Sequence, residues 1–217
     1  DGRSHFQAQC PTAHVLPAVI VHSCACRSSS RHKSTERALD KYRLFLRQRG
    51  ADQAGHMHGS LLEHLQGTLR LLQSWGCDPH VCRAGLFHSI YGTSIYGHRS
   101  VDLSERQLVK RLIGGDSERL AFLFCVADRP QAWLEALSGK ALRHRITGAM
   151  HPIDRGTLTG LLEIESANLL EQAAGWDFVQ QFLGLQTAHG LRLRPPIIAA
   201  LRDGLARNQM QVQQGLT

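Results

Sequence analysis

The sequence contains no long apolar run and few acidic residues near its start. Every apolar stretch falls short of the ~18 residues that a membrane-spanning helix needs, so we expect no transmembrane segment and no membrane partner. Residues 1–35 hold Asp1 as their single acid, together with several basic residues and the run Ser28-Ser29-Ser30. This composition predicts a disordered leader or, as the alternative, part of an organellar transit peptide.

The sequence also lacks a stripe of basic residues interleaved with aromatic residues, which is typical of nucleic-acid-binding surfaces. Aromatic residues make up 6% of the chain, although its formal net charge is +7. The positive charge therefore indicates either an ordinary solvated surface or attraction to anions, such as a small phosphorylated molecule or a nucleotide. It does not favour nucleic acid as a partner.

Cysteine pairs with zinc-knuckle spacing are missing as well. Among the 6 cysteines, Cys24 and Cys26 stand too close together for such a knuckle. Cys125 lies in an apolar segment and is expected to behave as a small core residue. We interpret the cysteines as reduced thiols of an intracellular protein, which would be cytoplasmic, or organellar if the leader is a transit peptide.

Helical periodicity, by contrast, is present along most of the chain. Ser60 and Glu63 have the spacing of a capping box, and leucines recur at helical spacing after them. Asp78 and Pro79 are typical of an N-cap and a first helical turn. Residues 104–107 are predicted to form a second capping box, and no segment alternates as a strand would.

These patterns predict an all-α fold, a helical bundle of about six to eight helices in one domain. The domain should span residues 36–205, with its first helix starting at Glu36. The leader, residues 1–35, would precede this domain, and a polar tail, residues 206–217, would follow it.

Three polar residues occur at positions where a helical core should be apolar: His64, His88 and Asp128. Asp128 is predicted to share a helix face with Leu120 and Phe124, which would direct its carboxylate into the core. Burying an imidazole or a carboxylate without a partner costs several kcal/mol. Three such groups on separate helices therefore favour one shared site with a divalent metal as its simplest partner, and this ligand set suits Mn, Fe or Zn.

The order of these three residues resembles that of the HD-domain superfamily of metal-dependent phosphohydrolases, whose pattern reads His, then His-Asp, then Asp. His64 matches the first histidine, His88 the second, and Asp128 the final aspartate. The resemblance covers roughly residues 60–130. Within the superfamily the pattern is closest to the alarmone hydrolases, where a helix ends in Ala-Asp-Arg, as it does at residues 127–129 here. The resemblance implies an HD-domain-like helical bundle and metal-assisted hydrolysis of a phosphorylated or nucleotide substrate.

The chain departs from this family in two places. The His-Asp pair is His88-Ser89 here, and residues 90–97 contain no acidic pair, although the alarmone hydrolases carry catalytic carboxylates there. In the family that aspartate binds metal and bridges the two ions of dinuclear members, whereas serine is a poor, neutral ligand. Two interpretations follow. The site holds one metal through His64, His88 and Asp128, or it is degenerate and binds a molecule without turning it over.

Other polar residues near these positions are candidates for the lining of a pocket. Arg129, Arg106 or Lys110 could neutralise the charge of a phosphate group. No residue stands out as the general base, so the catalytic residues stay unassigned. The pocket candidates are Ser89, Tyr91, Thr93, Arg129, Glu165 and Asn168.

Three functions are compatible with this sequence. The retained His64, His88 and Asp128 favour the first two of these. The first is a metal-dependent phosphohydrolase. The second is an HD-type iron oxygenase, although such enzymes use more core histidines than the two that lie on clear helices here. The third is a binding domain with a degenerate site, which Ser89 favours.

Overall fold

The computed structural model describes residues 25–57, 59–139, 141–188 and 190–215. By its internal contacts the chain divides into two units, Asp1–Ala38 and Leu39–Thr217. Of the first unit, the structure describes the beginning of one helix. The second unit contains all the other elements, and its architecture is the predicted all-α bundle. No helix among the described residues has the length and apolar character that a membrane span needs.

The described chain forms nine α-helices and two small antiparallel hairpins. The hairpins are β1–β2 (Gly55–His56 and Gly59–Ser60) and β3–β4 (Ala141–Arg143 and Met150–Pro152). The helices are α1 (Ala25–Gln48), α2 (Leu61–Ser74), α3 (Pro79–Leu86), α4 (Arg106–Ile113), α5 (Gly115–Val126), α6 (Gln131–Gly139), α7 (Arg155–Gln172), α8 (Trp176–Ala188) and α9 (Pro195–Gln213).

Helix α7 lies at the centre of the bundle. It packs against α2, α3, α5, α6 and α9, and α2 also packs along α3. Every residue from Gly160 to Leu169 is buried, although these ten positions include glutamates, a serine and an asparagine. A helix that is buried on all its faces must find internal partners for such side chains.

The beginning of α2 confirms the predicted capping box. The Ser60 hydroxyl accepts the Glu63 amide proton at 3.3 Å, and the Glu63 carboxylate accepts the Ser60 amide proton at 2.7 Å. Asp78 occupies the N-cap position of α3 but makes no side-chain cap bond. Its carboxylate instead accepts from Arg194 at 2.9 Å, which attaches the segment before α9 to the start of α3.

Several predicted boundaries are wrong. Helix α1 begins at Ala25 rather than Glu36, while residues 1–24 of the predicted leader lie outside the described residues. The second capping box joins Asp102 and Glu105 across a short 3-10 turn, because Asp102 accepts the Ser104 amide proton and thereby occupies the cap position predicted for Ser104. The predicted polar tail is helical as far as Gln213, since α9 continues well beyond position 205.

The end of α5 also differs from the prediction and determines where Asp128 lies. The helix ends at Val126, and Ala127 is extended and pairs with His144 beside the β3–β4 hairpin. The residue before a proline disfavours helical geometry, so Pro130 prevents the helix from continuing through Arg129. Asp128 therefore leaves the helix face of Leu120 and Phe124, and its side chain is exposed.

We expect Gly85→Ala to destabilise the protein, because Gly85 is the point of closest approach between α3 and α2. A Cβ there would lie 2.2 Å from the Leu72 Cδ1 atom, and Leu72 is fully buried. Overpacking should lower the free energy of unfolding by about 1–3 kcal/mol, measured by urea denaturation.

The matched control is Gly184→Ala in α8, where a Cβ would meet nothing within 4 Å. That change should raise stability by about 0.5–1 kcal/mol through helix propensity alone. Equal effects of the two substitutions would contradict the close approach of α2 and α3.

Candidate metal and ligand-binding site

Two buried histidines from different segments meet above the central helix. His64 lies on α2 and His88 follows the end of α3, and their side chains are 3% and 0% exposed. The His64 Nε2 atom lies 3.1 Å from the His88 Nε2 atom. The structure therefore brings together two of the three residues that the sequence predicted as metal ligands.

The outer nitrogen of each ring has a partner that can only accept a hydrogen bond. The His88 Nδ1 atom lies 2.7 Å from the Gly85 carbonyl oxygen, and the His64 Nδ1 atom contacts the carboxylate of Glu171. Each Nδ1 atom must therefore carry the proton and donate it. A neutral imidazole has a single N–H group, so both Nε2 atoms present lone pairs to each other.

A third acceptor completes the cluster. The Asn168 Oδ1 atom, from α7, lies 3.1 Å from the His88 Nε2 atom. The Gln172 side-chain amide donates to the same oxygen at 2.7 Å, which fixes the orientation of the Asn168 amide. Three lone-pair atoms thus converge, from His64, His88 and Asn168, and such an arrangement is unfavourable without a cation between them.

Burial opposes protonation of both rings. Desolvation is the largest cause that lowers the pKa of His64, although hydrogen bonds to Glu171 and Asn168 act in the opposite direction. Burial lowers the pKa of His88 still further, with the neighbouring His64 as the second cause. Burial therefore disfavours protonation of either ring, and the facing nitrogens could hold a metal ion instead.

The spacing of the three atoms fits ligands of one metal ion. Two metal–ligand bonds of about 2.1 Å that meet at about 90° place their donor atoms roughly 3.0 Å apart. The His64 Nε2 and Asn168 Oδ1 atoms each lie 3.1 Å from the His88 Nε2 atom. Hydrogen bonding of each Nδ1 atom to a carboxylate or a carbonyl oxygen is also what metal-binding histidines typically show.

Asp128 does not complete this cluster, so the prediction that its carboxylate faces the core is wrong. The physical reason is the early end of α5, which turns Asp128 to solvent. Within the part of the chain that the structure describes, no group of three or more His, Cys, Asp and Glu side chains is placed to hold a metal. The arrangement therefore offers two histidines and an amide oxygen rather than the predicted His, His and Asp.

A cavity of about 740 Å³ lies beside Asn168. Five of the six pocket candidates line it, namely Ser89, Thr93, Arg129, Glu165 and Asn168. Tyr91 is not among its lining residues, because the ring is buried and its hydroxyl donates to Glu118 at 3.2 Å. The remaining lining residues are Gly55, His56, Met57, Gly59, Ile95, Tyr96, Pro130, Leu169, Gln172, Ala174, Gly175 and Phe178.

A buried ion pair forms part of the cavity wall. The Arg129 Nη1 atom donates to the Glu165 Oε2 atom at 2.6 Å, and the two side chains are 3% and 1% exposed. The guanidinium also stacks on Phe124, with 4.0 Å between the Arg129 Cζ atom and the ring centroid. The Arg129 Nε and Glu165 Oε1 atoms are buried without hydrogen-bond partners, so the pair retains one free donor and one free acceptor.

The residues proposed for phosphate neutralisation are less available than the sequence suggested. Arg129 is paired with Glu165, and Arg106 binds the buried Glu118 through two contacts of 2.6 and 2.9 Å. Lys110 is exposed on α4 and does not line the cavity. The described cavity wall therefore contains no unpaired lysine or arginine.

Sequence reasoning missed the residues that orient the cluster. Glu171 and Gln172 follow Asn168 at the end of α7 and hold His64 and Asn168 in place. The sequence indicated Asn168 as a residue of the pocket lining but not as a candidate metal ligand. The available signal was spacing, because Asn168 and Gln172 are four residues apart and therefore lie on the same helix face.

A family model described as a domain of unknown function (DUF6817) matches residues 45–129. This segment extends from the end of α1 through α5, so it includes His64, His88 and Arg129 but ends before α7. No curated protein and no solved structure matches the chain. Since the family's description assigns no activity, the function must be argued from the site itself.

We expect Glu165→Gln to destabilise the protein strongly, because it leaves the Arg129 charge buried without a counter-ion. Breaking a buried pair typically costs about 3–5 kcal/mol of unfolding free energy, which urea denaturation would measure. The double variant Arg129→Met/Glu165→Gln should recover part of this loss, since no unpaired charge remains.

The control is Glu105→Gln, whose partner is Arg49 at 2.8 Å on the surface. Those side chains are about one-third exposed, and such a pair contributes less than about 1 kcal/mol. Similar losses for Glu165→Gln and Glu105→Gln would contradict the buried character of the first pair.

Proposed function

We propose that this chain is a metal-dependent hydrolase of a small molecule, with one divalent ion held by His64, His88 and Asn168. The observation that carries this proposal is the convergence of three lone-pair atoms in a buried site. Because each histidine carries its proton on Nδ1, no proton remains on the two Nε2 atoms that face each other. Mn, Fe and Zn all accept this combination of imidazole and oxygen ligands.

The chain's own residues would position the reactants. Glu171 and the Gly85 carbonyl group hold the two rings in the tautomer that exposes Nε2, and Gln172 holds the Asn168 oxygen in place. The cavity beside Asn168 would receive the substrate and exclude most water from it. When bound, the ion would polarise the bond to be cleaved and lower the pKa of a water molecule.

A binding domain without turnover is the second candidate. It is favoured by Ser89, which is buried beside His88 at the position where the HD-type pattern has a carboxylate. A site with two neutral histidines and a neutral amide holds a divalent ion less tightly than a site with an added anion. Metal content and turnover separate the two candidates, since the binding domain requires neither.

A phosphorylated or nucleotide substrate, which the HD-type resemblance implies, stays a prediction. It draws little support from the cavity, because Arg129 is already paired there and Arg106 is paired elsewhere.

The ligand assignment predicts that Asn168→Leu will lose metal whereas Asp128→Asn will keep it. Asn168 supplies one of the three converging atoms, while Asp128 is exposed. Removing a partner that only orients a ligand already costs about 10–100-fold in metal affinity, so loss of a direct ligand should cost at least as much. Elemental analysis and titration with Mn or Zn measure the effect.

The same preparations test hydrolysis. Metal-loaded parent protein and Asp128→Asn should cleave a chromogenic nitrophenyl ester or phosphate, and Asn168→Leu should not. Metal loss in Asp128→Asn together with full retention in Asn168→Leu would overturn the ligand assignment. Metal binding without any turnover would favour the binding domain.

A separate prediction concerns Ser89→Asp, which restores the carboxylate of the HD-type pattern. An anion beside a divalent ion stabilises it, whereas a buried carboxylate beside an empty site is costly. The variant should therefore bind more metal and melt at a higher temperature than the parent with Mn or Fe present. Under chelation it should melt at a lower temperature.

Thermal melts with and without metal, paired with metal analysis, provide the readout for Ser89→Asp. A suitable control is Ser138→Asp on the exposed end of α6, which should leave the metal dependence unchanged. If Ser89→Asp and the parent respond identically to metal and to chelator, then position 89 does not face an ion.

A further inference from the structure

The cavity beside Asn168 has a polar base and an apolar mouth. Asn168, Ser89 and the Arg129–Glu165 pair are buried at its base. At its mouth lie Met57, in the turn of the β1–β2 hairpin, and Ile95, in the loop after α3. These two side chains are 64% and 69% exposed, more than other exposed apolar residues such as Val212 and Met210.

Exposed apolar side chains that rim a cavity typically contact a ligand rather than water. Phe178, Leu169 and Pro130 contribute further apolar surface to the wall. The volume of about 740 Å³ lies within the range that holds a drug-sized molecule. An apolar body could therefore fill the outer cavity while its reactive end lies near the base.

The charges of the lining residues restrict the charge of the ligand. Arg129 is the one lysine or arginine among the described residues that line this cavity, and Glu165 neutralises it. A molecule with several negative charges would lose its hydration without gaining a free cation in return. Such a loss of solvation makes a polyphosphate an unsuitable occupant.

The ion pair leaves no charge in the wall for a ligand to neutralise. Arg129 and Glu165 are 3% and 1% exposed and are paired with each other at 2.6 Å. The Arg129 Nε and Glu165 Oε1 atoms are buried within the wall, so they do not reach the cavity surface. The pair therefore does not require a net charge on the ligand.

We infer that the ligand of this cavity is a mainly apolar molecule that carries at most one negative charge. This inference rests on the proposed function only where the ligand is taken to be the substrate of the hydrolase. The apolar rim holds whether or not a metal binds beside Asn168, whereas the limit on the ligand's charge is set by the protein's own side chains.

Two matched fluorescent probes test the inference on the full chain. N-phenyl-1-naphthylamine is uncharged, and 1-anilinonaphthalene-8-sulfonate is the same molecule with one added sulfonate. We expect the uncharged probe to bind at least as tightly as its sulfonated analogue, and ATP at millimolar concentration should displace neither. Displacement by micromolar ATP, or no binding of the uncharged probe, would overturn the inference.

Substitutions at the rim locate the bound probe. Ile95→Glu should weaken binding of the uncharged probe about tenfold, since partial burial of one aliphatic side chain contributes on that order. Met210→Glu is the matched control, because Met210 is 52% exposed on α9 and lies outside the cavity lining. Equal affinities of the two variants would show that the probe binds elsewhere, which contradicts the inference.

The experiment should be run on chelator-treated and on Mn-loaded protein, with metal content measured in parallel. Probe binding that depends on Ile95 in a protein that takes up no metal would refute the proposed hydrolase and leave the ligand class intact. A protein that takes up metal, but whose probe is displaced by micromolar ATP after chelator treatment, would refute the ligand class and leave the hydrolase intact.

Discussion

The burial of residues 160–169 of α7 on every face is the constraint on which the rest of the structure depends. A helix enclosed by its neighbours cannot turn polar side chains to water, and each unsatisfied buried group costs about 1–3 kcal/mol. The bundle resolves this with partners from distant segments. Arg129 reaches Glu165 from the chain after α5, and Arg194 reaches Glu163 from the segment before α9.

The candidate metal site follows from the same constraint. Asn168 is a buried polar residue of α7, and its oxygen accepts from Gln172 while it faces the nitrogen of His88. His64 extends this network to Glu171 at the end of the helix. The site is therefore part of the network of contacts that satisfies the buried polar residues of α7. Arg129 supplies the charge that Glu165 needs, whereas His64, His88 and Asn168 bring three neutral groups together.

The structure differs most from the sequence-based expectation at Asp128, which is exposed, and at Asn168, which lies beside His88. The Ala-Asp-Arg sequence at the end of α5 favoured Asp128 as a ligand, and helical periodicity favoured an inward carboxylate. Both expectations require a helix that continues past Val126, but the chain becomes extended at Ala127 and pairs with His144. Asn168 was recognised as a polar residue on a core face. Its place beside His88 depends on how α7 crosses α3, which helical periodicity alone does not specify.

The sequence by itself determined the class of fold, the capping of α2 and the inward position of both histidines, because these depend on local periodicity and on short-range hydrogen bonds. The tertiary structure alone decided which groups meet. Arg129 is paired with Glu165 and is therefore not available to a phosphate. The Asn168 amide oxygen, rather than the Asp128 carboxylate, lies beside the histidines. The physical reason is that long-range packing, not local propensity, fixes the relative rotation of the helices and therefore the side chains that share one buried site.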